Sequence, residues 1–111
     1  MTSAAAEPDR PASIFLVERY RPPASAADLS ASVARMARLC ALSCDPRSAA
    51  SQAVQYLSST YVPLDDTCFC VFRAASAETV RALNSEARFA LDRITEAVML
   101  LPGETGTATR L

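Results

Sequence analysis

Two stretches of this 111-residue chain are apolar on both faces of the strands that they would form. They are residues 13–20, which read SIFLVERY, and residues 92–101, which read DRITEAVMLL. Because side chains alternate across a strand, a half-exposed strand shows one apolar and one polar row. Here both rows carry apolar side chains. One layer of helices covers one side of a sheet, so the pattern predicts that a second subunit covers the other side.

Length and composition limit the classes of protein to which the chain can belong. It is long enough for one domain with one core. Its formal net charge is −1, which argues against a nucleic-acid partner, because such proteins carry clustered basic residues. No apolar run resembles a signal peptide or a membrane span, so we expect no membrane partner and a cytoplasmic location. The four cysteines are then expected to be free thiols.

Capping and turn residues along the chain predict two helices and four strands. Ser25 to Asp28 resembles a capping box that opens a helix ending near Asp45–Pro46, and Ser76 is a plausible N-cap for a helix ending near Arg88. Pro63 to Asp66 has turn composition, so the strands on either side of it are expected to form a hairpin. The predicted strands are residues 13–20, 53–62, 67–73 and 92–101.

The order strand, helix, strand, strand, helix, strand predicts a ferredoxin-like α+β fold. In this βαββαβ arrangement a four-stranded antiparallel sheet carries both helices on one face. The other face is bare, so we expect a homodimer that packs through it in the manner of a dimeric α/β barrel. The second strand is the most polar and is the expected edge. We expect residues 1–12 to be a disordered leader, 13–102 the domain and 103–111 a flexible tail.

Three segments resemble a known family in their order and spacing. They are Phe15 to Arg19 in the first strand, Phe69 to Phe72 in the third, and Asp92 to Glu96 in the last. Over residues 13–102 the chain resembles a small bacterial family, formerly of unknown function, that includes a nickel-binding protein. The resemblance implies a ferredoxin-like dimer and binding of nickel or another divalent metal. Tyr56 stands where members often carry tryptophan, and the chain has no histidine, a leading nickel ligand.

The cysteines fall into two pairs. Cys40 and Cys44 are four residues apart on a predicted helix, and Cys68 and Cys70 are two apart on a predicted strand, so each pair shares a face. Four thiolates are able to bind zinc or another soft metal, although this spacing differs from that of a zinc ribbon. The favoured interpretation is core packing, since free cysteine is among the most buried residue types.

Charged residues at the end of the first strand and the start of the last are expected to cluster, because these strands are antiparallel neighbours. They are Glu18, Arg19, Asp92, Arg93 and Glu96. Buried charges need partners or ligands, so the cluster is interpreted as either a structural ion-pair network or a site. In a site, Glu18 and Glu96 would supply oxygen ligands or an acid–base pair.

These observations give a set of candidate ligand or metal residues and three hypotheses of function. The candidates are Glu18, Arg19, Arg93, Glu96, Tyr56 and Cys70; the side chains expected to line a cleft are Tyr20, Tyr56, Tyr61 and Arg73. The main hypothesis is a small cytoplasmic metal- or ligand-binding protein that catalyses no reaction. The alternatives are a dimeric α/β-barrel enzyme, such as a cofactor-free monooxygenase or isomerase acting on a small hydrophobic molecule, and a structural or regulatory dimer without a ligand.

Overall fold

A computed structural model describes residues 12–22, 25–47 and 52–102 of the chain. The predicted tail 103–111 and all of the predicted leader except Ala12 lie outside these ranges. The helices and strands of the described part are β1 Ser13–Tyr20, α1 Ala26–Ser43, β2 Val54–Val62, β3 Thr67–Ala74, α2 Ala77–Glu86 and β4 Arg93–Ala97. A 3₁₀ turn, Pro63–Asp65, joins β2 to β3.

The four strands form one antiparallel sheet in the order β2-β3-β1-β4. This order and the βαββαβ succession confirm the predicted ferredoxin-like α+β fold. The polar strand β2 lies at an edge, as expected, and the short β4 forms the other edge. Neither helix in the described part of the chain has the length and apolar character needed to cross a membrane.

Both helices begin where their capping residues predict. The Ser25 hydroxyl accepts a hydrogen bond from the backbone N–H of Asp28 at 3.0 Å. The Ser76 hydroxyl accepts one from the N–H of Thr79 at 3.2 Å. Each hydroxyl replaces a partner that the first helical turn cannot supply, which contributes about 1 kcal/mol to stability.

The last strand is shorter than predicted. Pairing with β1 runs from Glu18 opposite Arg93 to Ile14 opposite Ala97, and β4 ends there because β1 itself begins at Ser13. The predicted fourth strand is therefore present, but its predicted bounds, 92–101, were wrong, because it spans only Arg93–Ala97. Two apolar residues beyond the strand, Val98 and Leu100, are 68% and 77% exposed.

The core lies between the helices and one face of the sheet. Its members alternate along the strands and recur at helical spacing on α1 and α2, so each element presents one apolar face. The most deeply buried include Phe15, Val17, Cys70 and Phe72 from the sheet and Met36 and Val80 from the helices. Burial of each large apolar side chain stabilises the fold by about 1.5–3 kcal/mol.

One charged side chain, Arg19, lies inside this core and is 1% exposed. Its Nη1 donates to the carbonyl oxygens of Phe89 at 2.8 Å and Ala90 at 3.1 Å. Its Nη2 donates to the side-chain oxygen of Asn84 and contacts the Met36 sulfur at 3.2 Å. Among the described residues no carboxylate lies within ion-pair distance of Arg19. The guanidinium thus joins β1, both helices and the loop after α2 through neutral groups.

The carbonyl groups that bind Arg19 are positioned by the end of α2. Arg88 adopts a left-handed conformation with φ 57°. The N–H of Arg88 donates to the Ser85 carbonyl and that of Phe89 to the Asn84 carbonyl, each at 3.0 Å, which is the Schellman pattern. The reversal brings the Phe89 ring beneath the guanidinium, whose carbon lies 3.5 Å from the ring centroid.

We expect Arg19→Ala to lower the free energy of unfolding by about 3 kcal/mol or more, because it leaves a cavity and buried acceptors without donors. Urea unfolding followed by circular dichroism measures the change. The matched control is Arg81→Ala, which removes an exposed arginine of α2 and should cost less than about 0.5 kcal/mol. Similar losses in the two variants would contradict the structural role of Arg19.

Candidate functional site

A β-bulge in β2 decides which side chains face α1. Tyr56 pairs with Phe72, but Ser58 pairs with Val71, so Leu57 is an extra residue in the strand. The insertion shifts the alternation by one position. Ser59 and Tyr61 therefore join Tyr56 on the helix-facing side of the sheet, where a regular strand would have placed Ser58 and Thr60.

These side chains form one wall of a groove between α1 and the β2 edge of the sheet. The groove has a volume of about 400 Å³. Its lining residues are Leu29, Ser30, Val33 and Ala34 from α1, Tyr56, Ser59 and Tyr61 from β2, and Cys68 from β3. The helix side is largely apolar, whereas the sheet side carries hydroxyl and thiol groups. No aspartate, glutamate, lysine or arginine is among these lining residues.

The polar groups of the sheet wall are connected by hydrogen bonds. The Tyr56 hydroxyl donates to Ser59 Oγ at 2.8 Å, and Ser59 Oγ lies 3.0 Å from Cys70 Sγ. At the far end of the wall the Tyr61 hydroxyl donates to Asp66 Oδ1 at 2.9 Å. This hydrogen bond to a carboxylate raises the pKa of Tyr61 above its ordinary value. The wall thus holds its hydroxyl groups in fixed orientations.

All four cysteines are free, and three of them are buried. Cys68 Sγ lies 3.9 Å from Cys70 Sγ on the helix-facing side of β3. Burial raises the pKa of Cys68 to about 12; the Cys70 thiol adds to the rise and Arg19 opposes it. Burial likewise raises the pKa of Cys40 to about 12, with smaller contributions from Cys44 and Cys70. Cys40 and Cys68 are therefore protonated at neutral pH, as the core-packing interpretation requires.

The predicted charge cluster is divided between the two faces of the sheet. Glu18 and Arg93 are partners across β1 and β4 on the face away from the helices, where Arg93 Nε lies 3.8 Å from Glu18 Oε2. Arg19 is buried on the helix-facing side. Glu96 is on that side too, but it lines a separate cavity near the start of α2. The Asp92 carboxylate instead accepts a hydrogen bond from the backbone N–H of Tyr20 at 2.6 Å.

Of the six candidate site residues, the structure links Tyr56 to Cys70 through Ser59 and pairs Glu18 with Arg93. The role of this set in ligand or metal binding stays a prediction. Tyr56 and Tyr61 line the groove, whereas the other two residues expected in a cleft, Tyr20 and Arg73, belong to strand positions on the opposite face. Sequence patterns did not identify the other groove residues, Leu29, Ser30, Val33, Ala34 and Ser59, and named Cys68 only as a possible metal ligand. The mixed polarity of residues 53–62 is the one signal that pointed towards it.

A metal centre needs several ligand side chains close together. Within ranges 12–22, 25–47 and 52–102, no three side chains of histidine, cysteine, aspartate or glutamate lie close enough together to hold a metal ion. Nickel in proteins takes several nitrogen or oxygen ligands in a tetragonal arrangement. The described part of one chain does not fit such a centre.

The raised thiol pKa values predict a loss of stability at alkaline pH. In the unfolded chain a cysteine thiol has its ordinary pKa of 9.0, whereas in the folded protein burial raises the pKa of Cys40 to about 12. The stabilisation is complete below pH 9 and is lost as the pH rises towards 12. Between pH 8 and 10.5 the free energy of unfolding, measured with urea, should decrease in both proteins. The decrease should be about 1–2 kcal/mol smaller in Cys40→Ala than in the unsubstituted protein. The exposed Cys44→Ala is the control, and equal falls in all three proteins would contradict the assignment.

Comparison with known proteins gives the chain its relatives. No curated protein matches it. Among solved structures, the crystal structure of SCO4226 from Streptomyces coelicolor A3(2) superposes with a TM-score of 0.60. The two sequences are 16% identical, and the match covers 83% of this chain and 99% of the other. This similarity shows a shared fold.

The family comparison extends beyond the fold. The family described as nickel responsive protein SCO4226-like matches residues 15–97. That span is about three quarters of the chain and includes all or most of each of the six strands and helices. It confirms the family resemblance seen in the sequence motifs. The chain therefore belongs to the SCO4226-like family of nickel-responsive proteins.

Proposed function

We propose that this protein binds a small, largely apolar molecule in the groove between α1 and β2, and that it acts by binding and not by catalysis. The observation that carries the proposal is the composition of the groove. Leu29 and Val33 offer an apolar surface on one side, and the hydroxyls of Tyr56 and Ser59 offer oriented polar groups on the other. Ligand sites in proteins typically combine a mainly apolar lining with a few fixed polar groups in a cavity of about 300–1,000 Å³.

Binding is favoured over acid–base catalysis by the titration of the lining groups. A general acid or base works best when its pKa lies near the operating pH. In this groove Cys68 has a pKa of about 12, and the pKa of Tyr61 is raised by its bond to Asp66. Both groups are poor proton donors and acceptors at neutral pH. The enzyme hypothesis, which rests on fold analogy alone, is therefore the weaker alternative.

The family name refers to nickel response, and this raises the question of a nickel centre in this chain. The described residues do not form such a centre, because no three histidine, cysteine, aspartate or glutamate side chains among them lie close enough together to hold a metal ion. We therefore propose that the binding role of this protein belongs to the groove between α1 and β2 and that its ligand is an organic molecule. We also propose a cytosolic location, because a reducing compartment keeps all four cysteines as free thiols, three of them buried in the core and Cys44 exposed.

Blocking the groove should abolish binding of an amphipathic probe. We expect the fluorescent dye 8-anilinonaphthalene-1-sulfonate to bind saturably, and Ala34→Trp to weaken its affinity at least tenfold by filling the groove. The matched control is Ala31→Trp, on an exposed part of α1 outside the groove, which should change the affinity less than twofold. Fluorescence titration measures both, with circular dichroism as the check on folding. Absence of saturable binding, or equal effects of the two substitutions, would count against the groove as the site.

We further propose that the open face of the sheet pairs with a second copy of the chain. Leu16 and Val71 lie opposite each other at the centre of that face and are half-buried, with Ile14 and Phe69 beside them on the same side. Nearby, Arg73 Nη2 is buried and has no hydrogen-bond partner among the described residues. An apolar centre with an unpaired polar group at its border is typical of an interface that a partner completes. A twofold dimer would bring the same strip of each chain together.

The dimer is tested by sedimentation equilibrium at micromolar concentration. We expect the unsubstituted chain to sediment as a dimer and Val71→Arg to sediment as a monomer, because the substitution places a charge in the centre of the apolar strip. The control is Leu42→Arg, at a residue that is 60% exposed on α1, away from the sheet. It should remain dimeric. A monomeric unsubstituted chain would rule out the proposed pairing.

A further inference from the structure

Two buried thiols and one buried cation lie together beneath the groove. Cys68 and Cys70 are 1% and 0% exposed, and their sulfur atoms are 3.9 Å apart on one side of β3. Arg19 is the cross-strand neighbour of Cys68. Its Nε is buried and has no hydrogen-bond partner among the described residues.

We propose that Cys68 and Cys70 form a two-coordinate site for a soft monovalent metal ion, Cu(I). Thiolates are soft ligands that select Cu(I), and this ion is stable with two of them. Zinc–sulfur bonds are about 2.3 Å long, and two metal–sulfur bonds of that length placed end to end span about 4.6 Å. Sulfur atoms now 3.9 Å apart would have to separate by less than about 1 Å to accept the ion.

Charge balance supports this metal and this stoichiometry. Two thiolates and one Cu(I) carry a net charge of −1, and the guanidinium of Arg19 carries +1 in proteins. No carboxylate within ion-pair distance among the described residues neutralises Arg19. A buried charge is costly without a counter-charge, so the loaded site would give Arg19 the partner that it lacks. A divalent ion at the same two ligands would leave the core with an excess positive charge.

Each sulfur has a neighbour that stabilises a thiolate. Arg19 is the cross-strand neighbour of Cys68, and a nearby positive charge lowers the cost of a negative charge on a sulfur. Ser59 Oγ lies 3.0 Å from Cys70 Sγ and already accepts a hydrogen bond from the Tyr56 hydroxyl, so its own hydrogen is available to the sulfur. Such hydrogen bonds orient and tune metal ligands.

The binding step balances without any redox change. Two thiols lose two protons and form two sulfur–copper bonds, while copper enters and remains as Cu(I). The groove provides the route, because Cys68 lines it. The metal site shares Cys68 with the groove, but metal binding does not require the organic ligand. It also differs in metal and ligands from a tetragonal nickel centre.

The experiment is an anaerobic titration with Cu(I) buffered by bathocuproine disulfonate, a competing chelator. We expect one Cu(I) per chain to be retained, and we expect Cys68→Ala and Cys70→Ala each to weaken the affinity at least a hundredfold. The matched controls are Cys44→Ala, which removes the exposed thiol, and Cys40→Ala, which removes the third buried thiol. Both should retain copper with affinities within threefold of the unsubstituted chain.

A second measurement keeps the proposal testable if the Cys68 or Cys70 variants do not fold. X-ray absorption at the copper edge of the loaded, unsubstituted protein should show two sulfur neighbours and no nitrogen or oxygen neighbour. Three results would overturn the proposal: no copper retained against the chelator, copper lost on removing Cys44 or Cys40 but kept on removing Cys68, or a coordination shell other than two sulfurs.

Discussion

The tertiary structure depends on one buried cation, Arg19, whose partners in the described part of the chain are all neutral. Arg19 reaches from β1 to the loop after α2 and contacts side chains of both helices on the way. Hydrogen bonds from a charged group contribute about 1.5–3 kcal/mol each, and several converge here. Because the carbonyl groups of Phe89 and Ala90 accept from it, the end of α2 has to reverse at Arg88. The guanidinium thereby fixes how both helices lie on the sheet.

The alternation of side chains along each strand then decides on which face of the sheet the other polar and charged residues lie. Neighbouring residues on a strand face opposite sides, so Glu18 and Arg19 cannot belong to one site. Glu18 meets Arg93 on the open face, while Arg19 enters the core. The extra residue Leu57 changes the alternation on β2 and brings Ser59 beneath α1 together with Tyr56. One inserted residue in an edge strand therefore creates the polar wall of the groove.

The groove and the thiol pair share that wall. Ser59 accepts from Tyr56 on the groove side and contacts Cys70 on the core side, and Cys68 belongs to both. A ligand in the groove and a metal ion on the sulfurs would consequently act on the same hydroxyl network. The family name refers to nickel response, whereas the polar atoms that line the groove are hydroxyl oxygens and the sulfur of Cys68.

The amino-acid sequence by itself determined the element order, the bounds of β1, the capping residues Ser25 and Ser76, the fold and the family, because each depends on local patterns that read directly along the chain. It did not determine the site. The length of β4 depends on where its partner β1 begins. Which side chains of β2 face the helices depends on a bulge that no local residue type predicts. The neutral surroundings of Arg19 come from segments up to 71 residues away in sequence. These features were decided by tertiary structure alone, since pairing, register and burial are properties of contacts between distant segments.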